Sequence, residues 1–326
     1  MRPHSARLRI GTRSSALAVW QTEAVRSLLR ASGYETERVE IKTTGDLTPD
    51  VPLARIGSRD LFTKQIDDAL LENRIDLAVH SLKDLPIELP SGLIIAAVST
   101  REDPRDALVG RNPLRWADLP QEAVIATSSL RRRAQLLNSR PDLRIVDVRG
   151  NLDTRLAKLD ARPEWSGIVL ATAGLVRLGL EERIGERLPP DIMLPAPGQG
   201  ALAVTVRTDD TEVQGAVHGA VHDGIASVEV AAERAFLRRL EGGCQVPVAA
   251  YAQLDRTSSG SRLRLRGRVI SLGGERVVEG REAGPASHEA AAEALGTTLA
   301  ERLLAEGAAT ILAEVREGAA PVVTEP

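Results

Sequence analysis

Short apolar runs alternate with amphipathic segments over the first two-thirds of the chain. Eight runs have the length and composition of buried strands, at residues 8–11, 39–42, 77–79, 93–98, 124–126, 144–148, 168–171 and 202–206. Helical spacing of apolar residues marks segments between them, at residues 15–30, 61–72, 130–138 and 152–159. This alternation predicts an α/β architecture with largely parallel sheets.

The pattern changes after about residue 225. A helix is predicted over 227–240, a loop follows, and residues 262–266 alternate arginine and leucine as a half-exposed antiparallel strand does. A final helix is predicted over 290–306. These segments indicate a smaller α+β unit, and residues 317–326 are expected to form a disordered tail. We therefore expect three domains, which comprise residues 8–101 with 200–220, residues 105–195, and residues 224–316.

Composition limits the class of protein without naming it. The 326 residues are 43% hydrophobic and 27% charged, as in ordinary globular proteins, and no apolar run approaches the length of a membrane span. The first nine residues lack an apolar targeting core, so we expect a cytoplasmic location. A net charge of -3 gives no general reason to expect nucleic acid as a partner.

The chain contains a single cysteine, Cys244, which cannot form an internal disulfide. Gly242 and Gly243 precede it and Pro247 follows it, which indicates a loop. A thiol packed as a small hydrophobic group and a displayed thiol are both compatible with this setting.

Polar motifs recur where a predicted strand ends or the next helix begins. They occupy residues 11–15, 43–46, 80–84, 127–133, 149–151 and 171–174. Ligands of open α/β sheets bind at this edge, although serine and threonine there can also simply cap a helix. Five arginines could converge on a ligand that carries several carboxylates or phosphates: Arg13, Arg131, Arg132, Arg149 and Arg155. Successive helical positions point about 100° apart, so residues 131–133 cannot all face one ligand.

An acid and a base lie side by side in the third of these motifs. Lys83 and Asp84 could form a surface ion pair, or the carboxylate of Asp84 could face a cationic or N–H-rich substrate. His80 has no cysteine or second histidine at ligand spacing, and we interpret it as structural.

Taken in order, these motifs resemble those of the porphobilinogen deaminase family over roughly residues 8–316. The resemblance rests on residues 12–15, 60–62, 78–84, 101–106, 127–132, 149–151, 198–200 and 240–247. It implies two α/β domains like those of periplasmic binding proteins, plus a smaller α+β domain that carries the cofactor cysteine. It also implies a monomeric enzyme of tetrapyrrole biosynthesis that needs no metal.

The resemblance implies a reaction and a role for each motif. Four porphobilinogen molecules are joined head to tail with loss of four ammonia, and hydroxymethylbilane is released by hydrolysis. A dipyrromethane cofactor, held by a thioether to Cys244, primes the chain, and Asp84 is the catalytic carboxylate. The implied cofactor-binding residues are Lys83, Thr127, Ser129, Arg131 and Arg132. The implied substrate-binding residues are Arg13, Ser15, Arg149, Arg155 and Arg177.

The chain departs from the family pattern in one segment. Asp60 stands where the family commonly has glycine, and Arg55 and Arg59 replace lysines, within a stretch thought to cover the active site. The lid behaviour that the resemblance implies is therefore not carried over to this chain.

Two functions from other classes are also compatible with parts of the pattern. A solute receptor would have two α/β lobes around an anion-binding cleft, but such receptors are usually exported and need no loop cysteine. A hydrolase or transferase with a cysteine nucleophile would need a base beside Cys244, and the sequence has no histidine near it.

Overall fold

The computed structural model describes residues 7–43, 63–240, 246–257 and 260–318. Within them lie two five-stranded mixed sheets and one three-stranded antiparallel sheet. The α-helices are α1 (Ala16–Ala31), α2 (Lys64–Leu71), α3 (Leu130–Ser139), α4 (Leu152–Asp160), α5 (Thr172–Arg177), α6 (Thr211–Val221), α7 (Gly224–Arg239), α8 (Glu289–Leu303) and α9 (Ala309–Gly318). Short 3-10 helices occupy Leu82–Asp84, Trp116–Asp118 and Glu181–Arg183.

The first sheet has the strand order β2-β1-β3-β10-β4. Its strands are β1 (Leu8–Thr12), β2 (Thr36–Glu40), β3 (Leu77–Ser81), β4 (Leu93–Val98) and β10 (Leu202–Arg207). Val25 and Leu29 of α1 and Val213 and Val217 of α6 pack with its apolar side chains in one buried cluster. Strands whose two faces are covered have apolar side chains along their length, so their polar residues lie at the ends of the strands.

The second sheet repeats the arrangement with the order β7-β6-β8-β5-β9. Its strands are β5 (Asp106–Val109), β6 (Val124–Ala126), β7 (Arg144–Val146), β8 (Gly167–Ala171) and β9 (Glu186–Arg187). Leu136 of α3 packs against Ile125 and Val169 of the sheet, and Leu156 of α4 packs against Ile168 in a second cluster. Helix α3 follows β6 and helix α4 follows β7 after short connections, so both helices begin near the ends of those strands.

The prediction of largely parallel sheets is confirmed, because four of the five strands in each sheet run in one direction and a single strand runs against them. In the first sheet β1 runs parallel to β2 and β3, whereas β10 runs antiparallel to β3 and β4. In the second sheet β6 runs parallel to β7 and β8, whereas β5 runs antiparallel to β8 and β9. The antiparallel strand of each sheet is the one that follows a crossing between the sheets, since β5 comes directly after β4 and β10 comes directly after β9.

Three strands differ from the predicted set for local reasons. The predicted strands did not include β5 and β9, which have only four and two residues. The second strand covers Thr36–Glu40 instead of 39–42, because it is an edge strand whose mostly exposed Thr-Glu-Arg-Val-Glu sequence lacks an apolar run.

The third sheet has the order β11-β12-β13 and is antiparallel throughout. Its strands are β11 (Val248–Thr257), β12 (Gly260–Ile270) and β13 (Val277–Pro285). The predicted alternation is confirmed, because Leu263 and Leu265 are buried and Arg262 and Arg264 are exposed. Helices α7 and α8 cover the buried face, with Phe236 at its centre.

The chain ends differently from the prediction. Helix α8 passes through a π-helical turn at Leu304–Ala308, where Gly307 has a φ of +113°, and α9 then continues to Gly318. Residues 317 and 318 are therefore helical, and residues 319–326 of the expected tail lie outside the described residues.

The predicted fold class, two α/β units followed by a smaller α+β unit, is confirmed by these three sheets. We retain the domain boundaries given above as a proposal, with which the membership of the strands agrees. Among the described helices, none is both long and apolar enough to cross a lipid bilayer.

Candidate active site

Asp84 is presented to solvent at the end of a single helical turn. The turn Leu82–Asp84 follows β3, and the N–H of Leu85 closes it on the carbonyl of Leu82 at 3.2 Å. Leu82 and Leu85 are buried in one apolar cluster, whereas Asp84 is exposed. The two leucines therefore anchor the turn and leave the carboxylate facing outwards.

Lys83, the neighbour of Asp84, points into a hydrogen-bond network. Its Nζ donates to Oε1 of Gln199 at 3.1 Å, and Nε2 of Gln199 donates to the Asp106 carboxylate at 3.1 Å. Burial lowers the pKa of Lys83 to about 8, with the negative charge of Asp84 acting in the opposite direction and Arg132 adding to the decrease. The surroundings of Lys83 therefore disfavour its charged form relative to a lysine in water.

Asp106 joins the two arginines that begin helix α3. Arg131 Nη1 donates to Asp106 Oδ2 at 2.7 Å, and Arg132 Nη2 donates to Asp106 Oδ1 at 2.7 Å. Burial alone would raise the pKa of Asp106, but the two guanidinium groups outweigh it and hold the pKa well below its usual range. One buried carboxylate thus fixes the direction of two buried cations.

Serine and threonine at the start of α3 complete this edge. The Ser129 hydroxyl accepts from the N–H of Arg132 at 3.4 Å as the N-cap, and Thr127 Oγ1 accepts from the N–H of Ser129 at 3.2 Å. Ser129 is half-buried and Thr127 buried. The capping interpretation is therefore correct for Ser129, and its hydroxyl proton can still be donated to an anion.

Arg155 extends the cluster from the next helix. Its Nε donates to the carbonyl of Gly150 at 2.8 Å, in a tight turn where Gly150 has a φ of +112°. Burial lowers the pKa of Arg155 to about 10, and Arg132 and Arg149 lower it further while Asp84 opposes them. Arg155 therefore lies within electrostatic range of Arg132, Arg149 and Asp84.

Two more of the predicted residues, Arg13 and Ser15, lie in the short segment between β1 and α1. Ser15 caps α1 by accepting from the N–H of Ala18 at 3.4 Å. Arg13 is close enough to His80 for its charge to lower the pKa of that imidazole, which burial already lowers, to about 4. His80 itself is buried, and its Nε2 lies 3.1 Å from Thr205 Oγ1.

Arg177 lies at a neighbouring junction rather than in the cluster around Asp106. Its Nη2 donates to the carbonyl of Gly200 at 2.5 Å, and its guanidinium lies 5.8 Å from the centre of the Trp20 ring. Burial lowers its pKa to about 10, against the effect of Glu102. Gly200 is the residue after Gln199, which accepts a hydrogen bond from Lys83. Arg177 and Lys83 therefore bind neighbouring residues of one segment.

The structure brings together one predicted set and adds two residues to it. Lys83, Asp84, Arg131, Arg132, Arg149 and Arg155 are joined by direct contacts or mutual electrostatic effects. Neither Asp106 nor Gln199 is among the predicted site residues, although an acid that opens the apolar run Ala107–Val109 does indicate a buried cation nearby. Cys244, Asp60, Arg55 and Arg59 lie outside the described residues.

The charges of this cluster define what it could hold. Five cations surround two carboxylates, so an anionic ligand with several carboxylates would complement them. No group of three or more metal-ligating histidine, cysteine or acidic side chains occurs among residues 7–43, 63–240, 246–257 and 260–318.

Comparisons with known proteins identify the family. Residues 8–215 match the family model "Porphobilinogen deaminase, dipyromethane cofactor binding domain", and residues 227–305 match "Porphobilinogen deaminase, C-terminal domain". The porphobilinogen deaminase of Rubrobacter xylanophilus is 51% identical over 312 residues, which are 96% of this chain and 98% of that protein. That of Syntrophotalea carbinolica is 50% identical over 321 residues, 98% of this chain and 99% of that protein.

Solved structures give a more distant likeness. The methionine-binding protein MetQ aligns with a TM-score of 0.42 and 14% identity, over 66% of this chain and 89% of MetQ. The two family models cover most of the chain between residues 8 and 305, and the relatives match it almost from end to end. The chain therefore belongs to the porphobilinogen deaminase family.

Proposed function

We propose that this protein is a hydroxymethylbilane synthase, a transferase of tetrapyrrole and haem biosynthesis. It joins four porphobilinogen molecules head to tail, releases four ammonia, and uses one water to free hydroxymethylbilane. The observation that carries this proposal is a cationic cluster, of buried Arg131 and Arg132 and half-buried Lys83 and Arg155, beside the exposed carboxylate of Asp84.

The substrate matches the charge of the cluster. Each porphobilinogen carries an acetate and a propionate, so a growing chain adds two negative charges with every ring. The pKa values of Lys83 and Arg155 are both lowered, to about 8 and about 10, by burial and by neighbouring cations. Substrate carboxylates would relieve that repulsion, and an arginine fork can bind a carboxylate through two hydrogen bonds.

We propose that dipyrromethane is the resident cofactor, attached by a thioether to Cys244. Lys83, Thr127, Ser129, Arg131 and Arg132 would hold it, because they place cations and hydroxyl groups at one sheet edge. When bound, it supplies the pyrrole carbon to which the first substrate ring is joined.

The helix that precedes the attachment segment in the sequence contacts the loop after Asp84. Helix α7 leads into residues 241–245, and Arg234 on α7 donates to the carbonyls of Pro86 and Ile87, both at 2.9 Å. These carbonyls belong to the segment that directly follows Asp84. The helix before Cys244 is thus tied to the loop of the proposed catalytic carboxylate, which supports a tether that reaches the cluster.

Asp84 is the proposed catalytic residue. Its carboxylate accepts hydrogen bonds from pyrrole N–H groups and stabilises the positive charge that develops on the substrate as ammonia leaves. Proton transfer to or from the reacting ring is a second role open to the same group. Substrate rings would be bound and moved by Arg13, Ser15, Arg149, Arg155 and Arg177.

Intact-protein mass spectrometry tests the tethered cofactor. The purified protein should exceed its sequence mass by one dipyrromethane, and Cys244→Ser should remove both the excess mass and the turnover of porphobilinogen. A protein of unmodified mass that converts porphobilinogen at full rate would contradict the proposal. From the family resemblance we also propose a cytoplasmic monomer. Sedimentation equilibrium of the same preparation would test the monomeric state, and cell fractionation would test the location.

A further inference from the structure

A buried arginine of the third sheet reaches the helix that carries the cofactor-binding arginines. Arg268 on β12 donates from Nη1 to Oε1 of Gln135 on α3 at 2.9 Å, and from Nη2 to the carbonyl of Asp191 at 3.2 Å. Its Nε donates to the carboxylate of Glu279 on β13. Arg268 is only 6% exposed and Gln135 2%. Their contact therefore lies in the interior, between the second and third sheets.

Gln135 passes this contact on to Arg131. Its Nε2 donates to the carbonyl of Leu194 at 3.0 Å, and its Oε1 also accepts from the N–H of Leu194 at 2.9 Å. The same Leu194 carbonyl accepts from Arg131 Nη1 at 2.8 Å. The amide of Gln135 thus fixes a carbonyl that orients the Arg131 guanidinium.

Beyond Arg131 the hydrogen bonds continue to the proposed catalytic turn. Arg131 binds Asp106, Asp106 accepts from Gln199, and Gln199 accepts from Lys83, the neighbour of Asp84. We call the series Arg268, Gln135, Leu194, Arg131 the relay. It links the third sheet, through side chains and one backbone carbonyl, to the edge where the substrate is expected.

The register of the third sheet connects the relay with the proposed tether. Ala249 on β11 pairs with Arg268 on β12, and Ala249 follows Cys244 by five residues in the sequence. The strand that begins just after the attachment segment therefore lies directly beside the first member of the relay. Buried ion pairs contribute little net stability, so burying an arginine here is better explained by positioning.

We propose that Arg268 and Gln135 are positioning residues for the condensation, which set the orientation of Arg131 relative to the unit that carries Cys244. This inference rests on the proposed cofactor-binding role of Arg131. Misplacement of a binding group by a fraction of an ångström is enough to slow a reaction that depends on alignment.

The test compares two relay variants with a matched control. Arg268→Met and Gln135→Leu interrupt the relay, whereas Asn138→Ala removes a different hydrogen bond from the same helix to the turn that joins β12 and β13, from Nδ2 to the carbonyl of Gly274 at 2.8 Å. The relay variants should lose about tenfold or more in kcat/KM. Asn138→Ala should keep kcat/KM within about twofold, the difference expected of a contact that does not orient a binding group.

Two further readouts separate positioning from stability. Arg131→Lys combined with Arg268→Met should lose less activity than the product of the two single losses, because both act on one guanidinium. Intact mass should show a lower fraction of cofactor-bearing protein in Gln135→Leu than in Asn138→Ala at equal Tm. If Arg268→Met fails to fold, Arg268→Lys, which keeps the charge and one donor nitrogen, should fold and should still have a lower kcat/KM than Asn138→Ala.

Each outcome has one meaning. Relay variants that match Asn138→Ala in kcat/KM and cofactor content, or single losses that multiply in the double variant, would overturn the inference and leave the proposed function standing. Full activity and full cofactor content in Arg131→Lys alone would instead remove the proposed role of Arg131, and the inference with it.

Discussion

At the scale of single residues, the candidate site separates one exposed carboxylate from one buried carboxylate. Asp106 is fully buried and forms ion pairs with both Arg131 and Arg132, whereas Asp84 is exposed beside the remaining cations. The two acids therefore have different tasks. Asp106 holds the arginines in place, and Asp84 is left to meet the substrate.

Asp84→Asn tests this division, because it keeps the shape of the side chain and removes its charge. We expect cofactor loading to be retained and elongation to slow by at least about a hundredfold, the loss typical of removing one electrostatic stabiliser. Stopped-flow measurement of ammonia release would give the rate of elongation, and intact mass would give the extent of cofactor loading. Asp209→Asn, in an exposed turn, is the control. Near-normal turnover in Asp84→Asn would refute the assignment.

The lowered pKa of Lys83 gives a second prediction at this scale. In the folded state the pKa is about 8, against an ordinary value of 10.5, so between these pH values the unfolded chain binds more protons. The contribution of Lys83 to the free energy of unfolding should therefore increase from pH 8 to 10.5. Urea unfolding of Cys244→Ser at several pH values should show the free energy of unfolding increasing with pH over this range. Adding Lys83→Met to Cys244→Ser should make that increase smaller. Equal slopes in both proteins would contradict the pKa assignment.

At the scale of elements, helix α7 joins all three units through one buried glutamate. Glu233 accepts from both guanidinium nitrogens of Arg101, at 2.8 and 3.0 Å, and from the N–H groups of Gly198 and Ala252, at 2.7 and 2.8 Å. Arg101 and Gly198 lie on the two segments that connect the first and second sheets, and Ala252 lies on β11. Helix α7 therefore fixes both connections to the third sheet.

Glu233→Gln should destabilise the protein strongly, because it leaves the buried charge of Arg101 without its main partner. We expect a loss of about 3 kcal/mol in the free energy of unfolding. Glu293→Gln removes an exposed partner of Arg238 at 3.8 Å and should cost less than about 1 kcal/mol. Urea unfolding of both variants would compare them, and equal losses would show that Glu233 does not act as a buried anchor.

The direction of the strands also explains which site residues the sequence predicts. Lys83, Asp84, Arg131 and Arg155 follow the ends of parallel strands, where ligand-binding side chains of α/β sheets are expected. Asp106 instead opens β5, which is antiparallel to β8, so that Asp106 pairs with Ala171 at the same edge. The expectation that binding residues follow the carboxyl ends of parallel strands does not find a residue, such as Asp106, that begins an antiparallel strand.

At the scale of the whole molecule, the sequence predicts the three units but not how they are joined. Apolar periodicity locates seven of the eight predicted strands of the first two sheets to within two residues, because buried strands need continuous apolar side chains. Contacts such as those of Glu233 and Arg268 depend on partners more than a hundred residues away or on another sheet. Local patterns carry no information on such pairs.

The return of the chain as β10 has a consequence for the order in which the protein forms during synthesis. Strand β10 lies between β3 and β4 in the first sheet, yet the ribosome makes it after every strand of the second sheet. The amino-terminal unit therefore lacks the strand that joins β3 to β4 until the middle unit has emerged. Ribosome-bound chains long enough to expose residue 195 outside the exit tunnel, but not residue 202, should protect residues 106–187 from proteolysis and leave residues 77–98 cleavable, and chains long enough to expose residue 207 should protect both. The first part of this protein to be translated is thus the second to fold.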